Sequence, residues 1–256
     1  LAKNKERFVK INREVNMVKK NVLERYLNSL LTGDRNQCRT VIEESLQSGI
    51  PAHQVYMDII WPIMTEIDKL YREDRIDSAQ EALASRINRS IVNQLQNKLP
   101  RRPSKDKRVV IATAQSDKAE LGGQMVNDLF ESDGWETRFL GGTVSNDDIL
   151  GFIHGYSPDI LVLYGFNGSD APSVRILIDT IRNVNAFPEM RIMLSGGVFS
   201  RAEGLWEEIG ADLYAETAAE AVMVAQAPAE KLPIPTRTIK QRGKSEQDAE
   251  KIEVAI

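Results

Sequence analysis

The sequence predicts an α/β chain in two parts: an N-terminal four-helix bundle, then a flavodoxin-like or Rossmann-like five-stranded parallel sheet with helices on both faces. Three observations predict it. Up to about residue 98, apolar positions recur at helical spacing with no strand pattern between them. From Val109 onward, short β-branched runs alternate with helical stretches in five successive units, the order that builds a parallel sheet. Between the two lies Leu99-Pro100-Arg101-Arg102-Pro103-Ser104-Lys105-Asp106-Lys107, whose prolines and charges suit a domain boundary. The expected divisions are 1–98 (bundle), 99–107 (linker), 108–226 (α/β domain) and 227–256 (tail).

The first helix is expected from about Lys10 to Leu31, with Val22, Tyr26 and Leu30 on one face. Thr32-Gly33-Asp34 ends it, and Asp34 caps the second helix, which stops near Ser48-Gly49. Ile50-Pro51 opens a long third helix carrying Val55, Ile59, Ile63 and Ile67. Asp77 or Ser78 opens a fourth, with Ala79, Leu83, Ile87 and Ile91 in line. Short loops make antiparallel neighbours of these helices.

In the second half the strands are expected at Val109–Ala112, Trp135–Leu140, Ile160–Leu163, Arg191–Leu194 and Asp212–Tyr214. The helices between and after them end near Phe130, His154, Asn183, Ile209 and Gln226. Ser145 with Asp148 three residues on is a capping box. Beyond Ala227, prolines and mixed charge predict an extended or disordered tail that ends in Ile252, Val254 and Ile256.

Composition narrows the function. The formal net charge is −4, against a wholesale nucleic-acid binder; only the basic run around Lys3 to Lys20, or a domain upstream of Leu1, offers such contact. The chain starts at Leu1 rather than Met, which suggests a fragment or processed product. Mean hydropathy is −0.33, and no apolar run reaches the roughly 18 residues that span a bilayer, so no membrane association is expected. A single cysteine, Cys38, and no signal-peptide pattern point to the cytoplasm. His53 and His154 are placed near helix ends, where capping or surface roles suit them. No nucleophile–base pair and no cluster at metal spacing stands out, so no catalytic or metal-ligating residue is assigned and no enzyme is expected. Glu81 and Asp117 are the one carboxylate pair that could meet across the two halves.

Specific stretches carry a family resemblance. In the bundle they are Tyr26 to Asp34, Gly49-Ile50-Pro51, Ile59-Ile60-Trp61-Pro62, Ile67 to Tyr71 and Ile76 to Ala82. In the α/β half they are Asp117 to Gly122, Leu140-Gly141-Gly142, Pro158-Asp159-Ile160, Ser195-Gly196-Gly197 and Gly210-Ala211-Asp212. Together they resemble the cobalamin-binding domain with its helical cap, as in corrinoid methyltransferase carriers and light-sensing MerR-type repressors.

The resemblance implies a site and also shows where this chain departs from it. The family's first βα loop reads Asp-x-His-x-x-Gly, and its His ligates cobalt through an imidazole lone pair. Here the loop is Asp117-Lys118-Ala119-Glu120-Leu121-Gly122, so Ala119 stands at the ligand position and Asp117 has no imidazole to orient. The family's third strand ends in a Ser that contacts the nucleotide tail; here Tyr164, followed by Gly165, is aligned with it. Ser195, Gly196 and Gly197 are retained, and Thr143 lies on the same edge after Gly141-Gly142. In the cap, the Trp and Glu-His pair of the light sensors correspond to Tyr71, Glu81 and Ala82.

The expectation drawn from these losses is a non-enzymatic regulatory or adaptor protein on a cobalamin-sensor scaffold. It would hold no cofactor and act through a protein partner or self-association in signalling or transcriptional control. The alternatives are a cobalamin or haem sensor, including a photoreceptor, and a corrinoid methyl carrier of a methyltransferase system.

Overall fold

The computed structural model describes residues 20–184 and 187–227, apart from the side chain of Asp117. The basic N-terminal run, the expected helix start at Lys10 and nearly all of the expected tail lie outside the described residues.

Helix α1 covers residues 20–31, and α2 follows at Arg35–Gln47. Asp34 caps α2 by accepting the Gln37 N–H at 2.9 Å. Then comes α3 (Ala52–Val55), which runs through a π turn (Tyr56–Ile60) into α4 (Trp61–Arg72). Pro62 accounts for the loosened turn: it has no N–H to give back to the preceding turn, so the ladder widens there.

Helix α5 (Ser78–Gln96) starts at a capping box formed by Asp77 and Gln80. Its buried face is Ala84, Ile87, Ile91 and Leu95. The expected alignment through Ala79 and Leu83 holds only from Ile87 onward: Leu83 is 40% exposed. It lies over the α1–α2 turn, where a Cβ on Gly33 would come within 2.6 Å of it. Inside the bundle, the Tyr26 hydroxyl donates to Asn88 Oδ1 at 2.7 Å, so both polar groups are satisfied in an apolar core.

The α/β part alternates without interruption. Its elements are β1 (Arg108–Thr113), α6 (Asp117–Ser132), β2 (Glu136–Gly141), α7 (Asn146–Tyr156), β3 (Ile160–Tyr164) and α8 (Ala171–Val184). These are followed by β4 (Arg191–Ser195), α9 (Leu205–Ile209), β5 (Leu213–Ala215) and α10 (Ala218–Ala225). All pairings are parallel and the strand order is β2-β1-β3-β4-β5. The direction of winding reverses between β1 and β3, and the crevice at the carboxyl ends of those strands is where such sheets take ligands. The Ser145–Asp148 capping box opens α7 as expected.

Two apolar cores result from strand alternation. Val110 and Ala112 of β1 join Leu161, Leu163, Ile192 and Leu194 beneath α7, α8 and α9. Val109 and Ile111 face the other way, with Leu121, Met125, Leu129 and Phe130 of α6 and the small residues of α10. That second core does not stop at α6: it is continuous with Ile59, Ile63, Ile87 and Ile91 of the bundle. The segment 99–107 is tied down rather than loose, with the Arg102 N–H donating to Ser132 O at 3.0 Å and Lys105 N–H to Gly134 O at 2.9 Å. Among the described residues, no helix is long and apolar enough to cross a membrane.

Candidate functional site

A cleft of about 560 Å³ lies between α4 and the carboxyl ends of β3, β4 and β5. That volume falls in the range of roughly 300–1,000 Å³ usual for small-molecule pockets. The roof is one face of the π turn and α4: Met57, Trp61, Met64, Thr65, Asp68 and Arg72. Their spacing of three or four residues puts them on one helical stripe. The floor is Ala119 from α6, Tyr164 and Gly165 from the end of β3, and Gly196 and Gly197 from the loop after β4. Gly165, Gly196 and Gly197 all have positive φ, which leaves bare backbone turned toward the cleft.

The floor is closely packed. Ala119 is 1% exposed, and a Cβ on Gly165 would come within 2.7 Å of its methyl. Tyr164 is buried, with its ring edge-on to Trp61 at 6.2 Å between centroids. On the other side the ring rests on two glycines. A Cβ on Gly122 would lie 2.2 Å from Tyr164 Oη, and one on Gly196 would lie 2.8 Å from Cζ. Tyr164 Oη forms no hydrogen bond among the described residues. Burial, with the Asp68 carboxylate adding to it, pushes the phenol pKa well above its ordinary value, so the group stays a neutral phenol at all working pH.

One wall is ionic. Asp68 accepts from Lys118 Nζ across the cleft, from Arg72 Nε at 3.1 Å, and lies 4.0 Å from an Arg201 guanidinium nitrogen. Burial alone would raise its pKa, but hydrogen bonding and charge from Lys118 and Arg72 outweigh this and hold it below the usual carboxylate range. Asp68, itself on α4, thus ties the bundle to α6 (Lys118) and approaches the loop after β4 (Arg201), with Arg72 one turn along the same helix.

Helix α6 presents Lys118 and Ala119 from its first turn, where the Ser116 hydroxyl caps the Ala119 N–H at 3.1 Å. Ser116→Ala is expected to destabilise the protein by about 1 kcal/mol, the usual loss on removing an N-cap, as read from urea denaturation midpoints.

The residues singled out from sequence divide. Ala119, Tyr164, Gly165, Gly196 and Gly197 meet at the floor, and Gly122 lies directly behind Tyr164. Ser195 does not reach the cleft: it is fully buried and its hydroxyl donates to Ala215 O at 2.7 Å, serving the sheet edge. Tyr71 is 42% exposed and Thr143 is exposed; neither lines the cleft, nor do Glu81 and Ala82. Glu81 instead accepts from Ser85 Oγ one turn along α5, at 3.3 Å. Of Asp117 only the backbone, at the start of α6, is described.

Sequence reasoning did not single out Met57, Trp61, Met64, Asp68, Arg72, Lys118 or Arg201 as site residues. Trp61 is 8% exposed and belongs to both core and roof. A usable signal was there: Asp68 and Arg72 interrupt the apolar stripe of a helix at positions in line with Trp61.

Comparison with known proteins places both halves. Residues 22–96 and residues 107–223 each match a B12 binding domain. Monomethylamine corrinoid protein 2 of Methanosarcina acetivorans is 24% identical over 215 residues, covering 82% of this chain and 98% of that protein. Dimethylamine corrinoid protein 1 of the same organism is 22% identical over 213 residues, covering 82% and 98%. The solved monomethylamine corrinoid protein of Methanosarcina barkeri superposes with a TM-score of 0.71 at 18% identity, covering 80% of this chain and 97% of that one, which establishes a shared fold.

These matches overturn the expectation that the chain holds no cofactor: B12 binding domains span both halves, and the relatives are corrinoid proteins. They lend no support to a signalling, transcriptional or light-sensing role. The physical reason for the misreading is that it weighed three contact positions and not the cleft as a whole. The residues present fit a corrinoid in part. A roofed crevice with a bare-backbone floor stands at the switch point, but Ala119 offers cobalt no donor and Tyr164 fills the space behind the floor.

Proposed function

We propose, from the premise that the chain belongs to the B12 binding domain family, that it is a corrinoid-binding protein which presents its bound group to a protein partner. The observation that carries this reading is the cleft itself. It stands at the carboxyl ends of a sheet ordered β2-β1-β3-β4-β5 and is roofed by α4 of the bundle. The corrinoid-protein names of the relatives support the reading, and a methyltransferase system is the setting it fits best.

A corrinoid held between the α4 roof and the glycine floor would supply methyl-carrying chemistry when bound. The chain's own residues do simpler work. Trp61, Met57 and Met64 exclude water from the roof, and Gly165, Gly196 and Gly197 allow close approach to the floor. Asp68, Lys118, Arg72 and Arg201 fix the spacing between the two sides. No group is assigned a catalytic role of its own; the chemistry on the carried group belongs to the partner. His53 and His154 do not line the cleft, so it offers no imidazole to a haem iron.

The test is reconstitution. The purified protein is incubated with excess hydroxocobalamin, and in parallel with hemin, then desalted and its visible spectrum recorded. A near-stoichiometric corrinoid band retained through desalting, with no such haem band, is expected. A colourless protein after the cobalamin arm would overturn the reading.

A further inference from the structure

We propose that the outer edge of β2 is a dimerisation surface, where the β2 strands of two copies of this chain pair antiparallel about a twofold axis at Thr137 and join two sheets into one. The inference is independent of what the cleft holds.

Strand β2 is last in the sheet, and no strand among the described residues lies beyond it. Its backbone directions follow from one bond. The Glu136 N–H donates to Lys107 O at 2.8 Å, so Glu136 turns its peptide groups toward β1. Ladder bonds to one neighbour come from every second residue, so Thr137 and Phe139 turn theirs outward. Sheet edges are often blunted by Lys or Pro, and β2 has neither. Its guard is Arg138, which donates to Thr137 O at 2.8 Å and to Glu136 Oε1 at 2.9 Å. Both contacts are exposed, so they exchange for equivalent ones at little cost.

The edge is bordered by aromatic rings on both faces. On the α6 side Phe139 is 37% exposed and leans toward Gly123. On the α7 side Phe152, also 37% exposed, packs on Tyr156, whose ring lies 4.8 Å from the Arg138 guanidinium. Covering these rings is favourable, which is what a partner strand with its own flanking helices does.

Charge identifies the occupant as a second copy. Glu136 and Arg138 flank Thr137 and point to the same face. In an antiparallel pair centred on Thr137, the residue before the axis lies opposite the residue after it. Glu136 of each copy then faces Arg138 of the other, twice over, as a twofold contact requires. The Thr137 N–H of each copy donates to Thr137 O of the other, taking the place of Arg138. An axis one residue on, at Arg138, would set two guanidinium groups opposite each other and bring the bulge at Leu140 against Glu136.

The experiment is sedimentation velocity on the full chain across a micromolar concentration series, with hydrogen–deuterium exchange at the same concentrations. A dimer is expected, with exchange at the Thr137 and Phe139 amides slowing as it forms. Arg138→Glu sets carboxylates opposite each other and is expected to weaken dimerisation about tenfold or more; adding Glu136→Arg reverses both charges and is expected to restore it to within about threefold. Thr137→Pro removes an N–H that β1 does not use, so it is expected to give a monomer with an unchanged circular dichroism spectrum. Should that variant lose its spectrum, the charge-reversal pair decides. A native chain that stays monomeric throughout would overturn the proposal. So would a dimer that Thr137→Pro leaves intact, or a double variant that pairs no better than Arg138→Glu. Thr137 and Phe139 amides already protected in a monomer would mean that another strand covers this edge, and would overturn it as well.

Discussion

Gly122→Ala is expected to destabilise the protein by about 2 kcal/mol, and the same substitution in a Tyr164→Ser background is expected to stabilise it by about 1 kcal/mol. The reversal follows from one contact. Gly122 is inside α6, where alanine normally gains about 1 kcal/mol over glycine. Here the new methyl would lie 2.2 Å from Tyr164 Oη, and the ring cannot retreat because Gly196 and Trp61 hold its other sides. Overpacking of this kind costs about 1–3 kcal/mol and outweighs the helical gain. Tyr164→Ser alone should lose about 3–5 kcal/mol, as other large-to-small core changes do. A double-mutant cycle read by urea denaturation should therefore return a coupling near 3 kcal/mol, at the upper end for residues in contact. Simple additivity would refute the packing described behind the floor.

The second large effect concerns Asp128, a carboxyl 2% exposed between α6 and the bundle. It accepts the Tyr56 hydroxyl at 3.0 Å and Gln96 Nε2 at 3.0 Å. Burial pushes its pKa up to about 6, only partly offset by the Tyr56 hydrogen bond. A pKa raised on folding means that the folded state binds the proton more tightly. This contribution to stability is complete below about pH 4, near the unfolded value, and is lost as pH rises through 6. At one pKa unit per 1.36 kcal/mol, Asp128→Asn should gain about 3 kcal/mol at pH 8 and almost nothing at pH 4. The amide retains the contacts, accepting from Gln96 and donating to Tyr56 Oη while that hydroxyl donates to Val92 O, already 3.0 Å away. Denaturation midpoints of the two proteins across pH 4–8 test this; parallel curves would show that the carboxylate is ionised without cost.

The fold was legible because its signals are local and redundant. The β-branched runs at Val109, Ile160 and Arg191 mark β1, β3 and β4 to within a residue or two, and the Asp34 and Ser145 caps are where the spacing put them. The fourth helix's face was misjudged because Leu83 satisfies the periodicity equally well while covering a turn glycine. The site was half legible. Ala119, Tyr164 and the glycines follow each other along conspicuous strand-to-helix loops. The roof does not announce itself, since Trp61 and Met64 are as apolar as any core stripe, and only the tertiary approach of Lys118 makes Asp68 part of a wall. Tyr71, Glu81 and Ala82, named from the resemblance, do not line the cleft: Tyr71 is exposed near the end of α4, and Glu81 and Ala82 lie in the first turns of α5.

The apolar core that passes unbroken from Ile59 and Ile87 through Leu121, Met125 and Leu129 to Val109 has a mechanical corollary. Two lobes joined by a narrow polar neck swing apart; two lobes sharing one greasy seam do not. At the crevice's rim the link between the lobes is ionic, made by the salt bridges of a single aspartate, Asp68. The bundle is a canopy whose underside is continuous with the core beneath it.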